Sequence, residues 1–529
     1  MLAWSLAPPL RAAREQKLSW SQFHSDDFRS IVERLDQTLT TEWQLKGLTP
    51  AERASDLAVA RRVSLALTGT VPSLEEIRRF EARGANERLA WWLAATLRDK
   101  RSSDYLAERL ARAYVGTEEG PFLIYRRRRF VSWLTEQLEH NRPYDQIVRD
   151  LISCDGLWTS EPATNFITAT VRQENKGPDE SALAARVSRA MLGVRLDCAE
   201  CHDHPFEPWR QDQFRGLAAF FGRTEQTLTG IRQGKEPTQI EDRNSGEMIA
   251  CEPAVPFQAE LLGEHRSPRV RLARWVTHPE NQAFSRAAVN RFWALLFGRP
   301  LVEPVDNLRL GEPPHAALDL LADDFVTHGF NLQRLIGLIA SSRAFQLDSA
   351  APLDEYGEVI AGRELNAEHE AAWAAFPLTR LRPEQVVGSL LQASSLETID
   401  YQSHIIIRIA RAIGQDEFIK RYGDAGEDEL EAHGGTIPQR LLLMNGNLVK
   451  ERIKAGNFLQ APTRIAMFAP DDAKAIETAF LATLSRRPSS EEAKHFAARL
   501  RDLRGGRRQQ LLEDLYWDLL NCTEFSWNH

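Results

Sequence analysis

Cys198 and Cys201 are separated by two residues, and His202 follows the second directly. Covalent haem attachment requires this spacing. The two thiols would form thioethers with the vinyl groups, and the turn between them would place His202 beneath the iron as an axial ligand. Ala199 and Glu200 would only span the turn. His204, two positions further on, writes a rival chemistry into the same residues. Cys198, Cys201, His202 and His204 include every ligand type of a Cys2His2 site, and thiolate with imidazole suits zinc or iron. Ligands at adjacent positions strain a tetrahedral arrangement, however, and zinc sites ordinarily draw on two separated segments. A third reading is structural: a local disulfide or two small buried thiols, with the histidines capping a turn that ends at Pro205.

The flanks place this cluster on a loop between helices. Val187 to Val194 leads in with helical character, and Asp212 to Phe221 reads as a second helix with Asp212 near its start. Pro205, Phe206, Pro208 and Trp209 would either lie against a flat macrocycle or serve ordinary packing. Electron transfer through haem often uses a second axial ligand. Met191 is close in sequence, and His140, His278 and His315 are remote, but no spacing selects among them.

Beyond the loop, helical periodicity dominates, as in Ile31, Leu35 and Leu39 with polar residues between. The fold class is mainly α, with two helical domains. Glycines and prolines punctuate Thr227 to Gln258 and predict turns or a short hairpin. The expected division is an N-terminal tail over 1–27, a helical domain carrying the Cys/His loop over 28–225, a connection over 226–266, and a second helical domain over 267–529. Two distant segments echo one another: Leu65 to Phe80 and Leu481 to Phe496 both read as a helix end, a proline, then serine with glutamate three residues later. That is a capping box, which positions helices and performs no chemistry. A looser echo pairs Leu338–Phe345 with Leu519–Phe525, and makes Cys522 structural.

Composition narrows the field. A net charge of -8 argues against nucleic acid as a partner. The basic run Arg126–Arg129 reads as the solvated face of a helix. Five cysteines in 529 residues are not a disulfide framework. No apolar run reaches the roughly 20 residues that span a bilayer. Leu2–Leu10 is apolar but lacks a preceding basic residue, so no export signal is clear. No phosphate-binding glycine loop, nucleophile elbow or His-Glu-x-x-His helix occurs.

These motifs resemble a family. Arg61–Gly69, Pro143–Gln146 and Cys198–Phe206 resemble the first, and Val289–Trp293, Phe297–Arg299, Gly311–His315, Leu443–Asn447 and Phe525–His529 the second, of two domains found together in secreted planctomycete proteins. That family is described as cytochrome-like and of unknown biochemical function. The resemblance implies a periplasmic or secreted protein; haem c, expected from the Cys198–His202 spacing, would call for a redox partner protein. Attachment through thioethers takes place outside the cytoplasm, whereas reduced thiols inside it would stay free for another metal. In the second domain, Asn290, Arg291 and Trp293 with Asp306 and Asn307 would either line a groove for a surface glycan or fix helix to loop through an Arg291–Asp306 pair. Asn445-Gly446-Asn447 reads as a turn or helix start.

Overall fold

The computed structural model describes residues 20–116, 125–171, 177–234, 239–241, 245–310, 315–354, 357–400 and 460–529. The apolar start, Gly311–Pro314 and Asn445–Asn447 therefore lie outside the described residues. The chain is mainly α, in two helical domains. The first segment supplies α1 (Asp26–Leu45), α2 (Asp56–Thr68), α3 (Leu74–Glu81), α4 (Arg88–Arg98), α5 (Lys100–Val115), α6 (Arg127–Glu139), α7 (Tyr144–Ser153), α8 (Asn165–Thr168), α9 (Glu180–Arg186) and α10 (Gln211–Ala218). In α1, Ser25 accepts from the Phe28 amide, two aspartates occupy the first turn, and Leu35, Leu39 and Trp43 are buried along one stripe. Burying each such leucine is worth about 2 kcal/mol.

The connection forms two antiparallel hairpins, β1 (Thr224–Thr227) with β2 (Gly230–Gln233), and β3 (Gln239–Glu241) with β4 (Met248–Ala250). Strand β2 also bridges back to Gly156. Gly230, at φ +109°, is required there, because a Cβ would stand 2.1 Å from the Gly156 carbonyl oxygen.

The second segment continues with α11 (Pro268–Val276), α12 (Gln282–Phe297), α13 (Ala316–Thr327), α14 (Leu332–Ser341), α15 (Arg343–Gln346), α16 (Ala367–Ala371) and α17 (Pro383–Ala393). Beyond residue 460 come α18 (Ala461–Phe468), α19 (Asp472–Leu484), α20 (Ser490–Leu500) and α21 (Gly505–Asn521). Two residues of β5 (Thr379–Arg380) pair with β6 (Trp527–Asn528).

The connection over 226–266 does not separate two cores. One continuous apolar interior runs from Phe23 to Phe376. Tyr144 of α7 stacks on Phe284 of α12 at 5.5 Å, and Arg269 of α11 donates to the Cys154 carbonyl at 3.0 Å. A second interior gathers Leu381 to Phe525 and takes in Leu65 and Val71 from the end of α2. Packing thus divides the molecule near residues 376–381, because α7 and α11 bury their apolar faces on each other.

The predicted repeat is present in detail. Gly69 closes α2 and Ser485 closes α19, both in the left-handed conformation. Ser73 and Ser489 then each form a capping box, with Glu76 and Glu492. The looser echo surrounds Phe345 and Phe525, both fully buried, and their carbonyls receive two adjacent arginines of α2. Arg61 donates to Thr483 at 3.1 Å and Phe525 at 3.2 Å; Arg62 donates to Phe345, Leu347 and His529 at 2.7–2.8 Å. Burial pushes Arg61 down to about 10 and Arg62 to about 9, and Arg62 lies 3.7 Å over the Phe376 ring.

Arg127 of the basic run is spent on Glu108 at 2.8 Å, while Arg128 and Arg129 are exposed, as a solvated helix face requires. Cys522 caps α21, its thiol donating to the Leu519 carbonyl at 3.0 Å.

Candidate functional site

The loop at Cys198 lies between helices, but its approach is not a plain helix. After α9 the chain makes a π turn over Val187–Met191, a distortion frequent at functional sites. A 3-10 turn over Asp197–Glu200 follows. Ala199 is fully buried and pins this turn to the core, so that Cys198 and Cys201 on either side of it are exposed. No disulfide joins the cysteines. Downstream, Asp203 accepts from the Gln211 amide at 2.8 Å and the Gln211 side chain donates to the Glu200 carbonyl at 3.1 Å, closing the loop onto the start of α10.

The two histidines of the loop differ in what they have left to offer. The Nδ1 of His202 lies 2.8 Å from the Asp203 carbonyl oxygen. A carbonyl only accepts, so Nδ1 carries the proton and the neutral ring presents its lone pair at Nε2. A carbonyl partner on the far nitrogen is the usual way a ligating imidazole is oriented and made more basic. In His204 the order is reversed. Its Nδ1 accepts from the amides of Phe206 at 3.1 Å and Glu207 at 2.9 Å, so the proton of the neutral ring is on Nε2 and the lone pair is already used. His204 organises the turn, and its own amide donates to the Trp209 carbonyl at 2.8 Å. Among the described residues, no three His, Cys, Asp or Glu side chains are grouped to hold a metal ion.

The donor types and their order are those that a haem takes: two exposed thiols and an imidazole with its Nε2 lone pair directed by a carbonyl. The aromatic flank splits into two roles. Trp209 is half-buried and packs on Phe257 at 6.2 Å, which is ordinary packing. Phe206 is 92% exposed and so supplies apolar surface on the same loop as the thiols. Of the remaining ligand candidates, Met191 is buried in the core, His278 accepts from the Glu280 amide, and His315 faces Glu42 at 3.7 Å; His140, whose Nδ1 meets the Glu136 carbonyl as that of His202 meets Asp203, keeps its Nε2 but stands at the end of α6.

Sequence reasoning singled out Asp306 and Asn307 but gave Asp306 the wrong partner, and it missed Arg195 and Arg309, which complete the hold on the loop from the second segment. Asp306 pairs with Arg195 at 2.8 Å, Asn307 accepts from the Arg195 amide at 3.2 Å, and Arg309 approaches Glu207 at 3.6 Å. The Leu308 amide donates to the Gly193 carbonyl at 2.6 Å. Gly193 has φ +61°, and a Cβ there would press on Ala287 and Leu308, so only glycine lets the strap approach. The expected Arg291–Asp306 pair is replaced, because Arg195 reaches Asp306 first from the loop side; Arg291 donates instead to the Ala190 carbonyl in the π turn at 2.5 Å. Asn290, Arg291 and Trp293 are all buried, so they line no surface groove for a glycan. The opposite charges of Arg195 and Asp306 were the available signal, but they stand over a hundred residues apart with nothing local to link them.

Comparison with known families gives two matches. Residues 34–226 match PSCyt2, described as a protein of unknown function (DUF1549), and residues 268–413 match PSD1, described as a protein of unknown function (DUF1553). Together they cover well over half of the chain. No curated protein and no solved structure matches it.

Proposed function

We propose, for a chain that belongs to the family joining a planctomycete cytochrome-type domain to a planctomycete secreted domain, that the loop at Cys198–His202 is a c-type haem attachment site serving electron transfer outside the cytoplasm. The observation that carries this reading is the division of labour between the histidines: His202 keeps a directed Nε2 lone pair, whereas His204 has spent its own on two backbone amides. Haem would supply one-electron chemistry at its iron. Cys198 and Cys201 would each add across a vinyl group, sulfur bonding to one carbon and the thiol hydrogen going to the other, with no net oxidation. Asp203 would hold the imidazole ring through its carbonyl, and the buried Ala199 would keep both thiols facing outward. Phe206 would offer exposed apolar surface to the bound group, and the exposure of the loop would give a redox partner protein access.

No helix among the described residues is long and apolar enough to cross a membrane. A Cys2His2 zinc or iron site would need the His204 lone pair, and with it the loss of two amide hydrogen bonds, which makes that reading the weaker one. Pyridine haemochrome spectra of the chain expressed with a cytochrome maturation system decide between them. The c-type signature is expected; correctly folded protein with one zinc or iron per chain and no haem contradicts the proposal.

A further inference from the structure

A cleft of about 570 Å³ opens where α1, residues 49–53 and α15 meet, lined by none of the residues of the Cys/His loop. Its wall is stiff. The Ala54 amide donates to the Gln346 carbonyl at 2.9 Å, the Asp348 amide to the Glu52 carbonyl at 2.7 Å, and Arg53 bridges Leu347. The backbone amide of Arg343 donates to Asp36 at 2.7 Å, and its guanidinium lies 5.4 Å over the buried Trp43 ring. Three arginines, Arg53, Arg343 and Arg363, line this one space in a chain whose net charge is -8.

The three are not equally spent. Arg53 pairs with Asp56 at 3.2 Å and Arg363 with Glu52 at 3.1 Å, both in exposed geometry that a ligand anion can displace. Among the described residues, no carboxylate oxygen lies within 4.0 Å of the Arg343 guanidinium. Asp36 meets the backbone amide of Arg343 and not its guanidinium, and burial pushes that carboxyl up to about 6, so that at pH 6 it carries only about half its charge. We infer that this cleft binds a small oxyanion ligand carrying a carboxylate or phosphate group, with Arg343 as principal contact and Arg53 and Arg363 as flanking contacts. Planar guanidinium forks match both anions in the same bidentate way, and here the stacking on Trp43 and the bonded wall orient them before the ligand arrives.

Isothermal titration of the full chain at pH 6 in a phosphate-free buffer, with inorganic phosphate and with malonate as probes, tests this. Saturable one-site binding of at least one probe is expected, weakened about tenfold or more in Arg343→Gln. Arg128→Gln, on the exposed face of α6, should bind as the native chain does. The tighter probe assigns the ligand to the phosphate or the carboxylate class. If Arg343→Gln loses its helical circular dichroism, Arg363→Gln carries the same test. Absence of saturable binding by the native chain at millimolar probe, or an undiminished affinity in the folded variant, overturns the inference.

Discussion

Arg61 and Arg62 lie side by side on α2 with no exposure to solvent, and their donors end on five carbonyls drawn from three distant turns. Cys198, Cys201 and His202 lie side by side on a loop, exposed, with an imidazole nitrogen still unspent. Both regions are dense in groups capable of chemistry, and the molecule uses them in opposite ways. Where polar groups are buried and matched to backbone, they specify how segments meet. Where they are exposed on a loop whose backbone is fixed from behind, they remain accessible from outside the chain.

The sharpest way to break that comparison is at the arginines. Arg62→Leu leaves three carbonyls without their donor, two of them deeply buried, and should cost about 3 kcal/mol or more in urea unfolding. A loss below about 1 kcal/mol would mean that the clasp is ornamental. Glu384 offers the next largest effect. Burial alone would raise its carboxyl, but Arg109 at 3.0 Å, with Arg112 and Arg382, outweighs burial and holds it at about 2. Because the folded pKa is depressed, its contribution is present above the unfolded value near 4.5 and lost as pH falls toward 2. Acid titration of stability should therefore steepen over that window in the native chain and flatten in Glu384→Gln.

Much of the architecture was legible in the sequence because it is written locally. The capping boxes at Ser73 and Ser489 follow from four consecutive residues, and both are present as read. The hairpin connection followed from its glycines and prolines. The shared core was not legible, since Tyr144 stacking on Phe284 is a matter of tertiary packing that no period reports. At the candidate site, the residue types were legible but their states were not. Whether His202 or His204 keeps a lone pair depends on which backbone groups the turn brings to each Nδ1, and a two-residue spacing is silent on that.

Smaller effects sharpen the contrast from the other side. Asp306→Asn removes the charge that meets Arg195 across the strap and should cost about 1 kcal/mol, with faster amide exchange at Leu308 and Val194 but little change elsewhere. Uniform destabilisation would show instead that the strap belongs to the core. Smallest of all, Cys198→Ser with Cys201→Ser should move the melting temperature hardly at all, a change under about 0.5 kcal/mol, since both side chains are exposed. A large loss of stability would return the cysteines to a structural role.

The most direct test is peptide mapping by mass spectrometry of the chain matured in an oxidising compartment with haem supplied. One haem should be found on the peptide that contains Cys198 and Cys201, bound through both sulfurs, and absent from the double serine variant. Unmodified thiols, or a disulfide between the two, on that same peptide would contradict the assignment of the loop as a haem anchor.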